Sequence, residues 1–161
     1  MTPETTSRTI VVGYDTSPSA RAAVEHAIDR AGPAGRLILV HTYQVPAEYI
    51  GAPYYSVMVE DAAQHAADVL DSLERDFERL LEVDHERDIN TGAAAPAIVR
   101  AAEVYRADEI VIGSRGVGRV RALLGSVAHD VLHRATCPVT VIPERMVDAR
   151  TATPAEATAA V

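Results

Sequence analysis

The 161 residues are enough for one domain with a sizeable core and too few for two. The formal net charge of -8 argues against nucleic acid or an anionic membrane as a partner, because both require a basic face. All 15 basic residues are arginine, which excludes a Walker A phosphate loop and a Schiff-base lysine. With no apolar run near the ~20 residues of a membrane span and no signal-peptide pattern, we expect a soluble, cytoplasmic protein.

The N-terminal segment predicts a strand followed by a helix. Arg8–Tyr14 is a short apolar run typical of a buried strand. Alanine, valine and isoleucine then recur at helical spacing up to Ala31. Asp15, Thr16 or Ser17 can cap this helix. Proline 18 suits its first turn.

The middle of the chain predicts a second strand, a loop, a long helix and a charged strand. Arg36–Tyr43 has the continuous apolar character of a parallel strand, and Gln44–Val57 is interpreted as a loop. The charged alternation of residues 83–90 is typical of an edge strand. The buried stripe of the long helix is expected to contain Ala62, Ala63, Ala66, Val69, Leu70, Leu73, Phe77, Leu80 and Leu81.

The C-terminal part predicts two further helices and two strands. A helix begins near Pro96, and Glu109–Gly113 is a buried strand that leads directly into a glycine-rich loop. Cys137–Pro143 is the last strand. The helix before it is expected to turn Val127, Ala128, Val131, Leu132 and Ala135 inward. Residues 1–145 are therefore predicted to form a single domain, and residues 146–161 a disordered tail.

Five strands alternating with four helices predict a doubly wound α/β fold with a parallel sheet. In such sheets ligands bind outside the carboxyl ends of the strands, where the strand order reverses. The loop after the fourth predicted strand, GSRGVGRVRALLGSV, lies at such an end and carries four glycines and three arginines. Flexible backbone, positive charge and a following helix N-terminus favour a bound phosphate.

The chain resembles the universal stress protein family over residues 8–143. The resemblance rests on VVGYDTSPSARAAVEHA, RADEIVIGSRG and GSVAHDVLHRATCPVTVIP. In the nucleotide-binding branch of that family, the loop reads Gly, two residues, Gly, nine residues, Gly, then Ser or Thr. Here Gly113, Gly116 and Gly125-Ser126 follow that order, with eight residues in place of nine. The resemblance implies a five-stranded Rossmann-like sheet of the adenine nucleotide alpha hydrolase type.

The same resemblance implies an adenine-nucleotide site. Asp15 and Thr42 would frame the adenine and ribose, and Gly113 and Gly116 would line the phosphates. The nucleotide-binding residues it implies are Gly13, Asp15, Thr42, Ile112, Gly113, Arg115, Gly116, Gly125, Ser126 and Val127. The implied ligand is ATP, with or without Mg2+; cyclic AMP and AMP stay open. No metal ligand from protein side chains and no catalytic residue is expected.

Two functions follow from these observations. The first is an ATP-binding regulatory protein whose occupancy shifts a conformer that partners recognise, with at most slow, incidental hydrolysis. The second is a nucleotide-free dimeric interaction module, which the shortened loop favours. In both, the resemblance implies a homodimer joined through Val139–Ile142, and an unpaired apolar edge strand independently favours such pairing.

Overall fold

The computed structural model describes residues 7–45, 54–114 and 124–143. Within these ranges the elements are β1 Thr9–Gly13, α1 Pro18–Ala31, β2 Arg36–Tyr43, α2 Tyr54–Asp76, a 3-10 turn Glu78–Glu82, β3 Asp84–Thr91, α3 Ala94–Val104, β4 Glu109–Gly113, α4 Ser126–Arg134 and β5 Val139–Ile142. None of the helices in these ranges has both the length and the apolar character needed to cross a membrane.

All five strands are parallel, in the order β3-β2-β1-β4-β5. The doubly wound α/β sheet predicted from the sequence is therefore confirmed. The chain moves outward from β1 to β3, then returns to the other side of β1 with β4. The strand order reverses between β1 and β4, which makes their carboxyl ends, at Gly13 and Gly113, the topological switch point.

Alternate residues of the central strands pack into two cores on opposite faces of the sheet. Ile10 and Val12 of β1 belong to the core that α1 and α2 cover, whereas Val11 belongs to the core that α3 and α4 cover. All three side chains are fully buried. Helices on both faces explain why β1, β2 and β4 have near-continuous apolar sequences.

The two sheet edges differ in character. β3 is one edge, as its charged alternation predicted, and Arg87 of this strand forms ion pairs with Asp71 and Glu74 of α2. β5 is the other edge, and Val139 and Val141 on it are only partly buried. Charged side chains therefore line the β3 edge, whereas the β5 edge is short and apolar.

Two predictions around α2 are wrong. Tyr54–Val57 was expected in a loop, but α2 begins at Tyr54. Leu81 was expected on the buried stripe, but its side chain is 67% exposed. The α-helix ends at Asp76, and a 3-10 turn has three residues per turn rather than 3.6, so the α-helical period no longer applies at Leu81.

The buried face of α4 is also narrower than predicted. Ala128 and Val131 are buried, but Val127 and Leu132 are 41% and 46% exposed. With nine residues, α4 makes fewer than three turns, and the two residues that contact the core define its inward direction. Val127 and Leu132 each lie next in sequence to one of these buried residues, and neighbours in sequence point about 100° apart on a helix.

Candidate functional site

A cavity of about 530 Å3 lies at the carboxyl ends of the strands, where the strand order reverses. Eight of the ten residues predicted for the nucleotide site line it: Gly13, Asp15, Thr42, Ile112, Gly113, Gly125, Ser126 and Val127. The other two, Arg115 and Gly116, lie outside the described residues. The sheet topology thus brings together residues that are up to 114 positions apart in sequence, from Gly13 to Val127, because parallel strands end at one edge.

Sequence reasoning missed the other half of the cavity wall. These residues are Tyr14, Val40, Ala94, Ile98, Ser114, Leu124, Ala128 and His129. Ala94 and Ile98 belong to α3, and no local sequence motif indicates how α3 packs against the sheet. His129 was not among the predicted site residues. Its position near the start of α4, four residues after Gly125, was the signal that could have placed it here.

Asp15 is held in place by the start of α1. Oδ1 of Asp15 accepts hydrogen bonds from Ser17 N at 3.1 Å and from Ser17 Oγ at 2.6 Å. Ser17 Oγ in turn accepts from Ala20 N at 3.2 Å, so Ser17 is the N-cap of α1. Both bonds from Ser17 use Oδ1, which leaves Oδ2 of this cavity-lining carboxylate free of Ser17.

Gly113 allows β4 to end close to α1. A Cβ atom at Gly113 would lie 2.5 Å from Ser19 Oγ and 2.8 Å from Ala20 N. The resemblance implies that Gly113 lies beside the phosphates, and Gly113 does line the cavity. The structure adds a second reason for a glycine here, because the first turn of α1 occupies the space of a side chain.

The N-terminus of α4 faces the cavity without a capping side chain. Its N-cap is Gly125, and its first intrahelical hydrogen bond runs from His129 N to Gly125 O at 2.9 Å. The first-turn N–H groups of Ser126, Val127 and Ala128 precede that bond, and such groups have no partner within their helix. All three residues line the cavity. The cavity wall therefore includes N–H donors that have no partner within their helix, at the positive end of a helix dipole.

The loop around this helix start is tied to the sheet. Ser114 N donates to Ile142 O at 2.8 Å, and Gly125 N donates to Ser114 O at 2.7 Å. The two described ends of the segment between β4 and α4 are thus joined directly. This contact fixes where α4 begins relative to the carboxyl end of β4.

Tyr14 follows β1 directly and lines the cavity. Its backbone N donates to Val40 O at 2.9 Å, and its carbonyl oxygen lies 2.8 Å from Nδ1 of His41. His41 is thus a hydrogen-bonded residue of β2. Burial raises the pKa of the Tyr14 phenol, although Arg21 beside it acts in the opposite direction. The side chain is therefore neutral at physiological pH.

His129 and His133 lie one turn apart on α4, with ring centroids 4.5 Å from each other. Two imidazoles alone do not make a zinc site, which takes three or four protein ligands. In the part of the chain that the structure describes, no group of three or more His, Cys, Asp or Glu side chains could hold a metal ion. Of these two residues, His129 is the one that lines the cavity.

The fold and this cavity define a doubly wound α/β domain with a ligand-sized site at its topological switch point. The model of the universal stress protein family matches residues 6–143. The chain belongs to the universal stress protein family, and its resemblance to that family is confirmed. As a family member it is a stress-response protein.

Two relatives differ in how much of their own length this chain matches. A universal stress protein of Thermus aquaticus is 34% identical over 143 residues, which cover 84% of this chain and 98% of the relative. Universal stress protein Rv2624c of Mycobacterium tuberculosis is 34% identical over 150 residues, which cover 89% of this chain. The match spans only 51% of Rv2624c, so this chain corresponds to about half of that longer protein.

Solved structures show the same fold. UspA from Lactobacillus plantarum superposes with a TM-score of 0.71 at 26% identity, over 84% of this chain and 97% of that one. A universal stress protein solved in complex with cAMP has a TM-score of 0.61 at 27% identity, over 84% and 96% of the two chains.

Proposed function

We propose that this protein binds an adenine nucleotide in the cavity at the switch point, with ATP as the leading ligand. The observation that carries the proposal is the uncapped N-terminus of α4 in the cavity wall. Three successive N–H groups and the positive end of the helix dipole match the oxygens and the charge of a phosphate chain. Mg2+ would enter with the nucleotide.

The rest of the wall fits a nucleoside. Val40, Ala94 and Ile98 offer apolar surface for a planar base, and Asp15 and Thr42 offer hydrogen-bonding groups for its edge and for a ribose. The cAMP-bound universal stress protein supports an adenine nucleotide as the ligand class and keeps cyclic AMP in the set to be tested. AMP belongs in the same set.

The proposed role is regulatory. A nucleotide in the cavity would contact β1, β2, β4, α3 and α4 together and favour the conformer in which these elements are closest. Partners that recognise that conformer would then respond to occupancy. We assign no catalytic role to any residue of the cavity, and we expect any ATP hydrolysis to be slow and incidental.

The proposed assembly is a homodimer joined through β5. Pro138 O accepts a hydrogen bond from Ile110 N, and Ile142 O accepts one from Ser114 N. In a parallel pair, every second residue of a strand bonds to its neighbour, so the even-numbered residues of β5 bond to β4. The backbone N–H and C=O groups of Val139 and Val141 then face outward. A second copy of this strand would pair with those groups and cover the apolar edge.

Calorimetric titration of the nucleotide-stripped protein with MgATP tests the proposal. We expect saturable binding with one site per chain. Val127→Asp should weaken it at least tenfold, because a carboxylate would then stand beside the phosphate chain. Aspartate in the first turn of a helix is compatible with folding. Val104→Asp is the matched control, because Val104 is exposed at the end of α3 and is not part of the cavity wall.

A nucleotide-free dimeric module is the second candidate. The eight residues between Gly116 and Gly125, one fewer than in the family's nucleotide-binding pattern, favour it. No heat and no thermal stabilisation with ATP, cyclic AMP or AMP, in a protein that still dimerises, would select this function.

A further inference from the structure

Among the described residues that line the cavity, only Tyr14, Asp15 and His129 are titratable. Tyr14 and Asp15 are neutral or negative in their two protonation states, so neither can attract a phosphate. Of these three described residues, only His129 has a side chain that can carry a positive charge.

The backbone directs this imidazole toward the uncapped helix end. His129 is the fourth residue of α4, and its N–H makes the first bond inside the helix. Side chains on a helix lean toward its N-terminus, so His129 covers the turn that contains Ser126 and Val127. Its ring therefore lies on the side of the cavity where a phosphate would meet the first-turn N–H groups.

The described charged groups near His129 lie on its own helix and across the cavity. On α4, His133 lies 4.5 Å away between ring centroids, and Asp130 is paired with Arg134 at 3.8 Å. Asp15, which follows β1, also lines the cavity.

The helix that packs against α4 adds no charge to the wall. α3 contributes Ala94 and Ile98 there, and its Arg100 is hydrogen-bonded to Asn90 on β3. On β5, the neighbouring strand, Thr140 donates to Glu109, at the opposite end of β4 from the cavity. Among the described cavity-lining residues, Asp15 is thus the one carboxylate and His129 the one side chain that can be cationic.

We propose that His129 binds the phosphate end of the nucleotide as an imidazolium, so that binding takes up a proton and tightens as the pH falls. This rests on the proposed nucleotide-binding function and adds its regulation. On binding, a proton moves from solvent to the imidazole, whose two ring N–H groups then both donate. An anion beside the imidazole favours its charged form, which links occupancy to the acidity of the solution.

The test is calorimetry with MgATP at saturating Mg2+, near pH 6 and near pH 8, in two buffers of different ionisation enthalpy. For the wild-type chain, the affinity should fall about tenfold between these pH values, as expected for one charge-assisted hydrogen bond. Comparison of the two buffers should show proton uptake. Since MgATP itself also titrates, the decisive quantity is the difference between the wild-type chain and His129→Gln.

His129→Gln should abolish the part of the pH dependence and of the proton uptake that exceeds what the titration of MgATP itself contributes. His133→Gln is the matched control, because it changes the same residue type one turn further along an exposed face and leaves the cavity wall intact. It should retain both effects. Equal melting temperatures of the three proteins would show that each is folded.

The outcomes separate the two proposals. If MgATP binds the wild-type chain and His129→Gln with the same pH dependence and the same proton uptake, the role of His129 is wrong and nucleotide binding stands. If the wild-type chain binds MgATP at neither pH, the nucleotide function itself is wrong, and the proton linkage with it.

Discussion

A hydrogen bond of 2.6 Å joins Ser17 Oγ to Asp15 Oδ1, and it couples the cavity wall to the start of a helix. The serine hydroxyl donates to the carboxylate while its oxygen accepts from Ala20 N. One side chain therefore both caps α1 and orients the acid that follows β1. Residue 16 between them has a positive φ of 69°, an uncommon conformation for threonine that this turn imposes.

Loss of this cap should destabilise the fold. Ser17→Ala removes the partner of Ala20 N and one donor to Asp15, and we expect a loss of about 1 kcal/mol in the free energy of unfolding. Urea denaturation measures it. Ser126→Ala is the matched control, since Ser126 is an exposed first-turn residue of α4 and caps nothing there. An equal loss for both variants would contradict the capping role.

A methyl group at Gly113 should also destabilise the protein. The added carbon would lie 2.5 Å from Ser19 Oγ, so α1 or β4 must move, at a cost of about 1–3 kcal/mol. Thermal and urea unfolding measure the change. The comparison is Gly125→Ala, whose φ of -71° is available to any residue. An unchanged stability for Gly113→Ala would mean that β4 and α1 are not in close contact.

Acid should weaken a buried ion pair at the amino end of β4. Burial acts to raise the pKa of Glu109, but hydrogen bonds from Thr140 and Arg30 outweigh it and hold that pKa below its ordinary value. Glu109 is ionised in the folded protein at a pH where it would be protonated in the unfolded chain. Its contribution is therefore complete above the unfolded pKa of about 4.5 and is lost as the pH falls through the folded pKa.

Glu109→Gln should lower the free energy of unfolding at neutral pH by about 1–2 kcal/mol. It should also make the free energy of unfolding fall less steeply below about pH 4.5 than in the wild-type chain. Denaturant unfolding at a series of pH values measures both effects. Glu103→Gln, an exposed change on α3, serves as the control. A Glu109→Gln protein with the wild-type acid profile would show that this pair does not govern the response to acid.

The β5 edge can be tested by removing one outward donor. Val141→Pro deletes an N–H that faces away from β4 and should leave the inward bonds intact, so we expect a folded monomer. Val141→Thr keeps the N–H and should remain dimeric. Sedimentation velocity measures the state of both. A folded Val141→Pro dimer would place the interface elsewhere, and a monomeric wild-type chain would exclude the homodimer.

The parallel, doubly wound sheet could be predicted from local pattern, whereas the strand order β3-β2-β1-β4-β5 was not predicted. Continuous apolar strands alternating with helices indicate a parallel sheet, and parallel sheets place ligands at the carboxyl ends of their strands. The family resemblance implied Asp15, Thr42 and Gly113 as site residues, and all three line the cavity. The contact between Gly113 and Ser19 could not be predicted, because it joins residues far apart in sequence.

What failed depends on how elements pack and end. Leu81 lies beyond the end of α2, and no signal marks the change from an α-helix to a 3-10 turn. Ala94 and Ile98 reach the cavity because of the position of α3, and small or apolar residues on a helix do not reveal which neighbour they face. The capping residue was left among three candidates, and only the hydrogen-bond geometry selects Ser17.

The central claim is that an adenine nucleotide occupies the switch-point cavity, and an amide NMR titration of the labelled chain with MgATP tests it most directly. The account predicts saturable shifts at Ser126, Val127 and Ala128 and at the β1 end around Asp15, with β3 residues such as Arg87 unaffected. Shifts confined to residues outside the cavity wall, or none at saturating nucleotide, would contradict it.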